Sequence, residues 1–376
     1  MIKPGILFLI TLNLSLGITA GFIMHRADFC VAGMFRDLFL FRRTTMLRSL
    51  LLLVVCSIIL FDAARQLGII RLYPFPLLAS PALTNIAGGM IFGIGMVLAG
   101  GCVVGVLYKM GSGNLLAATA FAGLIIGSGI YAELHPWWVA LARKTAFLPG
   151  KITLPQALGI DPSTILLPLI IIPCILFFRW VLQGQWPAQA QVEGYVQPWR
   201  AAIYLSILGA LSYILVGMPF GVTTAYAKMA AYLALPFAPE HVAGLAFFQA
   251  VSLKYTAPIS ALPLQGGAGP VMDAIAVIQF PLIAGIVLGA FFSALLLREF
   301  HLYHRVPGRQ YASALLGGIV LALGSRMTPG CNIWHLFGGL PILAMQSLLF
   351  LAGIFPGAWI GSILLSRFVL PSRQVI

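Results

Sequence analysis

The sequence predicts an all-α, polytopic membrane protein, in which two pseudo-symmetric repeat halves with broken or re-entrant helices meet at a central path. Of its 376 residues 60% are hydrophobic and only 8% are charged, and the mean hydropathy is +1.01. A soluble domain carries about 25% charged residues. The apolar residues also form long runs, and a glycine and cysteine pattern occurs twice along the chain. Lipid can solvate such an exterior, and the chain has room for roughly ten spans of about 20 residues.

Ten apolar runs are long enough to cross a bilayer. We predict that each is a helix, because backbone groups in lipid must pair within the segment. A membrane strand would alternate polar and apolar residues, whereas these runs are apolar on every face. The predicted spans are residues 5–24, 49–70, 85–107, 114–133, 164–182, 201–217, 242–260, 275–297, 311–327 and 341–366.

Two shorter apolar pieces, residues 27–41 and 219–235, contain glycine or proline together with polar residues. They are too short to span, and we predict that they form re-entrant or broken helices lining a polar cavity. Arginines concentrate in the short loops at 36–48 and 298–309. Such loops face the cytoplasm, so the sequence predicts a multi-pass membrane protein with these loops inside the cell.

The two halves of the chain are related in sequence. Residues 88–102 read GGMIFGIGMVLAGGC and residues 317–331 read GGIVLALGSRMTPGC, with four glycines and the final cysteine in register. A repeat of this kind is typical of transporters that bind substrate near the membrane midplane. We predict a first half over 1–182, a polar linker over 183–200 and a second half over 201–376.

In each copy the glycine-lined helix ends at a Gly-Cys pair, Gly101 with Cys102 and Gly330 with Cys331. We predict that the helix breaks there and exposes unpaired N–H groups and a positive dipole end, which together hold an anion. Glycines at this spacing also serve close helix packing, and a membrane cysteine is often a small buried hydrophobe. Duplication favours a functional pair.

A third cysteine, Cys30, ends the segment GFIMHRADFC, where charged residues interrupt an apolar run. Cys56 and Cys174 lie inside continuous apolar helices, and we predict that they only pack. No CxxC or CxH spacing indicates a metal site.

Four basic or histidine side chains are further candidates for attracting or gating an anion, because charge at membrane depth is costly and usually functional. They are Arg26, Lys254, Arg326 and His335. Two simpler interpretations stay open. Arg26 can pair with Asp28 at the interface, and Arg326 can extend its charged end to the membrane surface.

At GFIMHRADFC, LAGGCVVG (98–105) and TPGCNIWHLFGG (328–339) the chain resembles the YeeE/YedE family of bacterial inner-membrane proteins. Members of that family import thiosulfate, and relatives are linked to selenium metabolism. The resemblance implies that Cys30, Cys102 and Cys331 line a narrow path and relay a sulfur oxyanion through thiol hydrogen bonds. It also implies a cytoplasmic sulfur-carrier or sulfurtransferase partner. The chain departs from the family pattern at HRAD and at Pro329.

The sequence therefore predicts an importer of thiosulfate or a similar sulfur-containing anion, not an enzyme, with no cofactor and no metal. Its basic residues are scattered through loops, which argues against a nucleic-acid partner. A transporter of a selenium compound is the first alternative. A soft-metal transporter is another, since cysteine and the 12 methionines suit Cu(I), but the methionines do not cluster. A membrane sulfurtransferase-type enzyme would need a base beside Cys102 or Cys331.

Overall fold

The computed structural model describes residues 4–70, 74, 78–186 and 193–370. Within these ranges it contains nine helical segments long and apolar enough to cross a membrane. The predicted all-α polytopic class is confirmed. Residues 187–192 of the predicted linker lie outside the described residues, as do 1–3 and 371–376 at the ends of the two predicted halves.

The elements follow one another with short connections, and several long helices are followed at once by a short one. Their bounds are α1 Pro4–Ala27, α2 Val31–Phe41, α3 Thr45–Gln66, α4 Thr84–Leu98, α5 Val103–Gly111, α6 Leu115–Lys144, α7 Leu154–Leu158, α8 Pro162–Leu182, α9 Pro198–Val216, α10 Thr223–Ala234, α11 Pro239–Gly244, α12 Ala246–Gln249, β1 Leu253–Thr256, β2 Pro263–Gly266, α13 Ala274–Leu296, α14 Gly308–Met327, α15 Asn332–Trp334 and α16 Met345–Leu364.

Four breaks separate a long helix from a short one: α1 from α2, α4 from α5, α9 from α10, and α14 from α15. Helix α15 continues as a π-helical turn, His335–Gly339, and a 3-10 turn, Leu340–Ile342. Three of the breaks contain a glycine with positive φ, 71° at Gly100, 81° at Gly217 and 143° at Gly330, a conformation that residues with a Cβ rarely adopt. The broken helices predicted over 27–41 and 219–235 correspond to α2 and α10.

The span predicted over 242–260 is wrong. This stretch forms α11, α12 and strand β1, which pairs antiparallel with β2 from Leu253↔Gly266 to Thr256↔Pro263. Along β1 buried and exposed residues alternate, which is the period of a strand and not of a lipid-facing helix. Lys254 takes an exposed position on this strand. It therefore lies on a hairpin and not inside an apolar helix.

The long helices pack in pairs: α1 against α13, α3 against α9, α4 against α14 and α16, and α6 against α14. Glycines permit the closest approaches. A Cβ at Gly95 would lie 2.3 Å from the backbone nitrogen of Leu321, and one at Gly324 would lie 2.4 Å from that of Phe92. These two contacts are reciprocal, since Gly95 and Phe92 occupy the positions of Gly324 and Leu321 in the repeat. Close packing is therefore one role of the repeated glycines.

A buried lysine ties the segment after the hairpin to α10. Lys228 has no exposed surface, and its Nζ donates at 2.8 Å to each of three acceptors, the carbonyl oxygens of Gly269 and Val271 and Oδ2 of Asp273. Asp273 also caps α13 by accepting from the backbone of Ala276 at 3.1 Å. One ion pair thus joins α10, the loop and α13.

Candidate functional site

Three of the four short helices begin immediately after a cysteine with extended backbone. Cys30 precedes α2, Cys102 precedes α5 and Cys331 precedes α15, and all three side chains are buried. Val222 takes this position before α10. The backbone N–H groups in the first turn of a helix have no partner within the helix. At Cys102 one of them is used locally, since Gly105 N donates to Cys102 Sγ at 3.3 Å.

The thiols of Cys30 and Cys102 lie side by side. Both face Gly105, where a Cβ would lie 2.7 Å from Cys30 Sγ and 3.2 Å from Cys102 Sγ. The Asn332 side chain, which follows Cys331, faces the Cys102 thiol. Within the described part of the chain, neither the nitrogen nor the oxygen of the Asn332 side-chain amide has a hydrogen-bond partner.

Four cavities follow one another across the protein at these cysteines. A cavity of about 500 Å³, here called the Arg326 cavity, ends at Gly330 and Trp334. Two cavities of about 10 Å³ come next, one lined by Cys331 and the other by Cys102, and both share Met24 and Ile333. A cavity of about 240 Å³, here called the Cys30 cavity, lies beyond them. The order of the thiols is therefore Cys331, Cys102, Cys30.

The Arg326 cavity contains a buried positive charge. Arg326 is 8% exposed and donates to Thr224 Oγ1 at 3.2 Å and to Thr223 Oγ1. Its Nε has no hydrogen-bond partner, and no carboxylate of the described residues pairs with it. Burial of a charge without a partner is costly. The arrangement suits an anion that arrives from outside the protein.

Polar and basic groups also line the Cys30 cavity. Lys109 Nζ donates to the carbonyl of Gly100 at 2.8 Å, and Asp28 accepts from Tyr108 Oη at 2.8 Å. Tyr195 lies in the loop before α9, outside the membrane spans. Burial, together with its hydrogen bond to Glu299, raises the pKa of Tyr195 to about 12. The Tyr195 hydroxyl therefore stays protonated at physiological pH.

Three of the predicted residues, Arg26, His335 and Lys254, line none of the four cavities. The ion pair between Arg26 and Asp28 that the sequence suggested does not form. Arg26 instead donates to Gly194 O at 2.5 Å and to Ser293 Oγ at 3.1 Å. His335 is fully buried and is hydrogen-bonded to Ser347 Oγ at 2.8 Å.

The other ring nitrogen of His335 lies 3.1 Å from Thr328 O, so this residue holds the break after α14 in place. Arg326 does not extend to the surface but stays inside its cavity. Lys254 is exposed on the hairpin and lines none of the four cavities.

Sequence reasoning missed Gly105, Thr223, Thr224 and Asn332. Gly105 lies within LAGGCVVG and Asn332 within TPGCNIWHLFGG, so both were inside motifs already singled out. Thr223 and Thr224 begin the predicted broken helix over 219–235. What the sequence lacked was any sign of which side chains face the thiols.

A protein-family model described as sulphur transport matches residues 26–360. A thiosulfate transporter TsuA of Spirochaeta thermophila is 30% identical over 366 residues, which is 93% of this chain and 98% of the relative. A thiosulfate transporter TsuA of Escherichia coli is 27% identical over 95% of this chain and 94% of its own length. A probable transporter YedE of Escherichia coli is 32% identical over 143 residues, 38% of this chain and 34% of the relative.

Proposed function

From the premise that the chain belongs to the sulphur transport family, the YeeE/YedE family, and is a multi-pass transporter of a sulfur-containing anion, we propose that it imports thiosulfate through a constriction lined by Cys331, Cys102 and Cys30. One observation carries this proposal: the three thiols follow one another between two larger cavities. Relatives that align over nearly the whole chain are named thiosulfate transporters. Their name supports the choice of anion.

Thiols suit the passage of such an anion. A thiol is a weak donor and a weak acceptor of hydrogen bonds, so it holds a polarizable sulfur anion without trapping it. Conduction requires binding that is favourable enough to enter and weak enough to leave. The first turns of α2, α5 and α10 add the partial positive charge of a helix N-terminus beside the two small cavities, which Val31, Gly105 and Val222 help to line.

The basic segments at one end give the orientation of the protein in the membrane, and the proposed import then gives the route. The basic segment 36–48, from the end of α2 to the start of α3, borders the Cys30 cavity, and the loop after α13 reaches the same cavity because Glu299 accepts a hydrogen bond from Tyr195 in its lining. Loops rich in arginine face the cytoplasm. The anion therefore enters at the Arg326 cavity, passes the thiols and leaves beside Lys109 and Arg36.

The halves 1–182 and 201–376, joined by the linker 183–200, form the two pseudo-symmetric repeats of this transporter. Reciprocal contacts support the repeat. A Cβ at Gly88 would meet Met327 and Thr328, and one at the equivalent Gly317 would meet Leu98 and Ala99. Partners that themselves correspond in the two copies are the signature of a two-fold relation.

Transport proceeds without chemical conversion of the anion. A nearby base is one means of activating a nucleophilic cysteine, and the two candidate bases are engaged elsewhere, His335 with Ser347 and Thr328 and His25 with Ser293. A cytoplasmic sulfur-carrier or sulfurtransferase protein takes the anion from the Cys30 cavity. A selenium compound remains the alternative substrate, because selenium oxyanions and selenols resemble their sulfur counterparts in size and softness. A sulfurtransferase-type enzyme and a soft-metal transporter are the less favoured alternatives.

Growth tests the proposal directly. A bacterial strain without sulfate and thiosulfate uptake is given this chain, with thiosulfate as the sole sulfur source. We expect rescue by the wild type and loss of rescue by Cys30→Ala, Cys102→Ala and Cys331→Ala at equal membrane expression. Cys56→Ala and Cys174→Ala should still rescue. Rescue by all five variants would exclude the thiol relay; rescue by none of the proteins, with labelled selenite taken up instead, would favour the selenium alternative.

Arg326→Gln should raise the half-saturating thiosulfate concentration for uptake by about tenfold, because a charge-assisted hydrogen bond contributes about 1.5–3 kcal/mol. Glutamine can keep a hydrogen bond to Thr223, so the cavity wall is retained. Uptake of labelled thiosulfate into vesicles gives both the half-saturating concentration and the maximal rate. Arg143→Gln, at the exposed edge of the same cavity, is the matched control. An equal effect of both substitutions would mean that the overall positive charge around the cavity, and not Arg326 itself, attracts the anion.

A further inference from the structure

An apolar groove of about 470 Å³ lies on the outer side of the broken helices, separate from the cysteine path. It is bordered by α2, α3, α8, α16 and the π-helical turn after α15. Its lining is apolar except for Thr44 and Arg48, and comprises Phe35, Thr44, Leu47, Arg48, Leu50, Leu51, Val54, Trp180, Leu336, Leu340, Leu351 and Phe355. Phe355 is 41% exposed, so the groove opens to the exterior.

The groove lies within the membrane. It follows α3 from Thr44 to Val54, and α3, α8 and α16 are all segments long and apolar enough to span a bilayer. The polar end of the groove lies at the start of α3, within the basic segment 36–48. By the positive-inside rule this end is at the cytoplasmic leaflet. A lipid acyl chain is the hydrophobic molecule present at this depth.

The polar end of the groove is positively charged. Arg48 lies over the Trp180 ring at 4.7 Å and donates from Nη1 to Gln185 O at 2.6 Å. A guanidinium has five N–H donors, so donors remain for a further acceptor. Arg42 and Arg43 precede α3 in the short connection from α2, and none of the three arginines pairs with a carboxylate in the part of the chain that the structure describes. Basic pockets between membrane helices on the cytoplasmic side bind anionic head groups.

We propose that this groove binds one anionic phospholipid of the cytoplasmic leaflet, with an acyl chain against Leu47, Leu51 and Leu340 and the phosphate at Arg48. Charge complementarity selects the anionic head group, and the apolar lining together with the membrane depth selects an acyl chain. A second copy of the protein would not supply the negative charge that the three arginines require.

The bound lipid would pack against the helical elements that begin at Cys30 and follow Cys331. Leu336 and Leu340 belong to the π-helical and 3-10 turns that follow Cys331, and Phe35 lies in the helix that Cys30 begins. Irregular helical turns of this kind are often found at functional sites. Any effect of lipid on transport rests on the proposed function, whereas lipid binding does not, so the test measures binding without thiosulfate.

The test uses purified protein in detergent and two lipids with identical acyl chains, phosphatidylglycerol and phosphatidylcholine. Native mass spectrometry counts the bound lipid, and thermal unfolding reports stabilisation. We expect one phosphatidylglycerol to bind about fivefold more tightly than phosphatidylcholine, and Arg48→Gln to remove this preference. Arg298→Gln, an arginine at the same membrane face but outside the groove, should keep it.

Two further variants separate the head group from the groove. Arg48→Lys should keep most of the preference, because the charge remains, and Leu51→Trp should weaken binding of both lipids by filling the groove. Equal binding of the two lipids to the wild type, or a preference that survives Arg48→Gln, would overturn the proposal. The proposal would also be overturned if the lipid-free protein formed a dimer in which the cysteine of Leu51→Cys did not react with maleimide. A second copy of the protein would then occupy the groove.

Discussion

Gly105→Ala is expected to reduce thiosulfate uptake by about ten- to a hundredfold while leaving the fold intact. The new Cβ would lie 2.7 Å from Cys30 Sγ and 3.2 Å from Cys102 Sγ, so the Cys30 thiol must turn away from its partner. Overpacking of this kind costs about 1–3 kcal/mol, which corresponds to that range of rates when it is added to the barrier for passage. Initial uptake rates in membrane vesicles measure the effect.

The fold should tolerate this substitution, because the new methyl group meets only the two thiols and alanine favours a helix by up to about 1 kcal/mol over glycine. Gly129→Ala in α6 is the matched control, since its Cβ would meet nothing closer than Ala230 Cβ at 3.6 Å and Gly129 lines none of the four cavities. Uptake by Gly129→Ala should equal that of the wild type. Full uptake by a well-expressed Gly105→Ala protein would show that the anion does not pass between Cys30 and Cys102.

Lys228→Met should have the largest effect on stability, lowering the free energy of unfolding by about 3–5 kcal/mol, the usual cost of breaking a buried ion pair. Methionine fills a similar volume but leaves the Asp273 carboxylate without its cation and the carbonyls of Gly269 and Val271 without a donor. Asp273 stays partly exposed, which places the expected value near the lower end. The thermal unfolding midpoint of purified protein in detergent is the measurement.

Lys254→Met provides the comparison, because Lys254 is exposed on β1 and takes part in no ion pair with a described residue. Its unfolding midpoint should match that of the wild type. If both methionine variants unfold at the wild-type temperature, the Lys228 ion pair does not hold the loop after the hairpin. A drop of equal size in both would instead indicate a general loss of positive charge.

Hydropathy predicted the membrane helices well, because lipid imposes a single demand on every spanning segment. It failed over 242–260 for a physical reason. An average over about 20 residues cannot distinguish a lipid-facing helix from short apolar elements that cover a protein cavity. Ala250 and Ser252 line the Arg326 cavity. Val242, Leu253 and Tyr255 are buried, whereas Val251 and Ile259 stay exposed, so this stretch covers the cavity without forming a spanning helix.

The duplicated Gly-Cys pairs predicted two of the helix breaks, since a backbone break needs residues that permit it and those residues are visible in sequence. The pairing of Cys30 with Cys102 was not predictable, because it depends on how α2 and α5 meet in space. The same holds for Arg326, whose buried position at Thr223 and Thr224 requires α10 to begin beside the end of α14. Sequence shows candidate groups, and packing decides which of them face each other.

The reciprocal contacts of Gly95 and Gly324 restrict how the transporter can move. At these glycines the backbones of α4 and α14 are in direct contact, with no side chain between them. Rocking of one half against the other, the usual motion of transporters with internal repeats, would have to separate these backbones and open a void in lipid. We therefore expect α4 and α14 to move together as one unit. Any change that opens the path would then be made by the short helices around them.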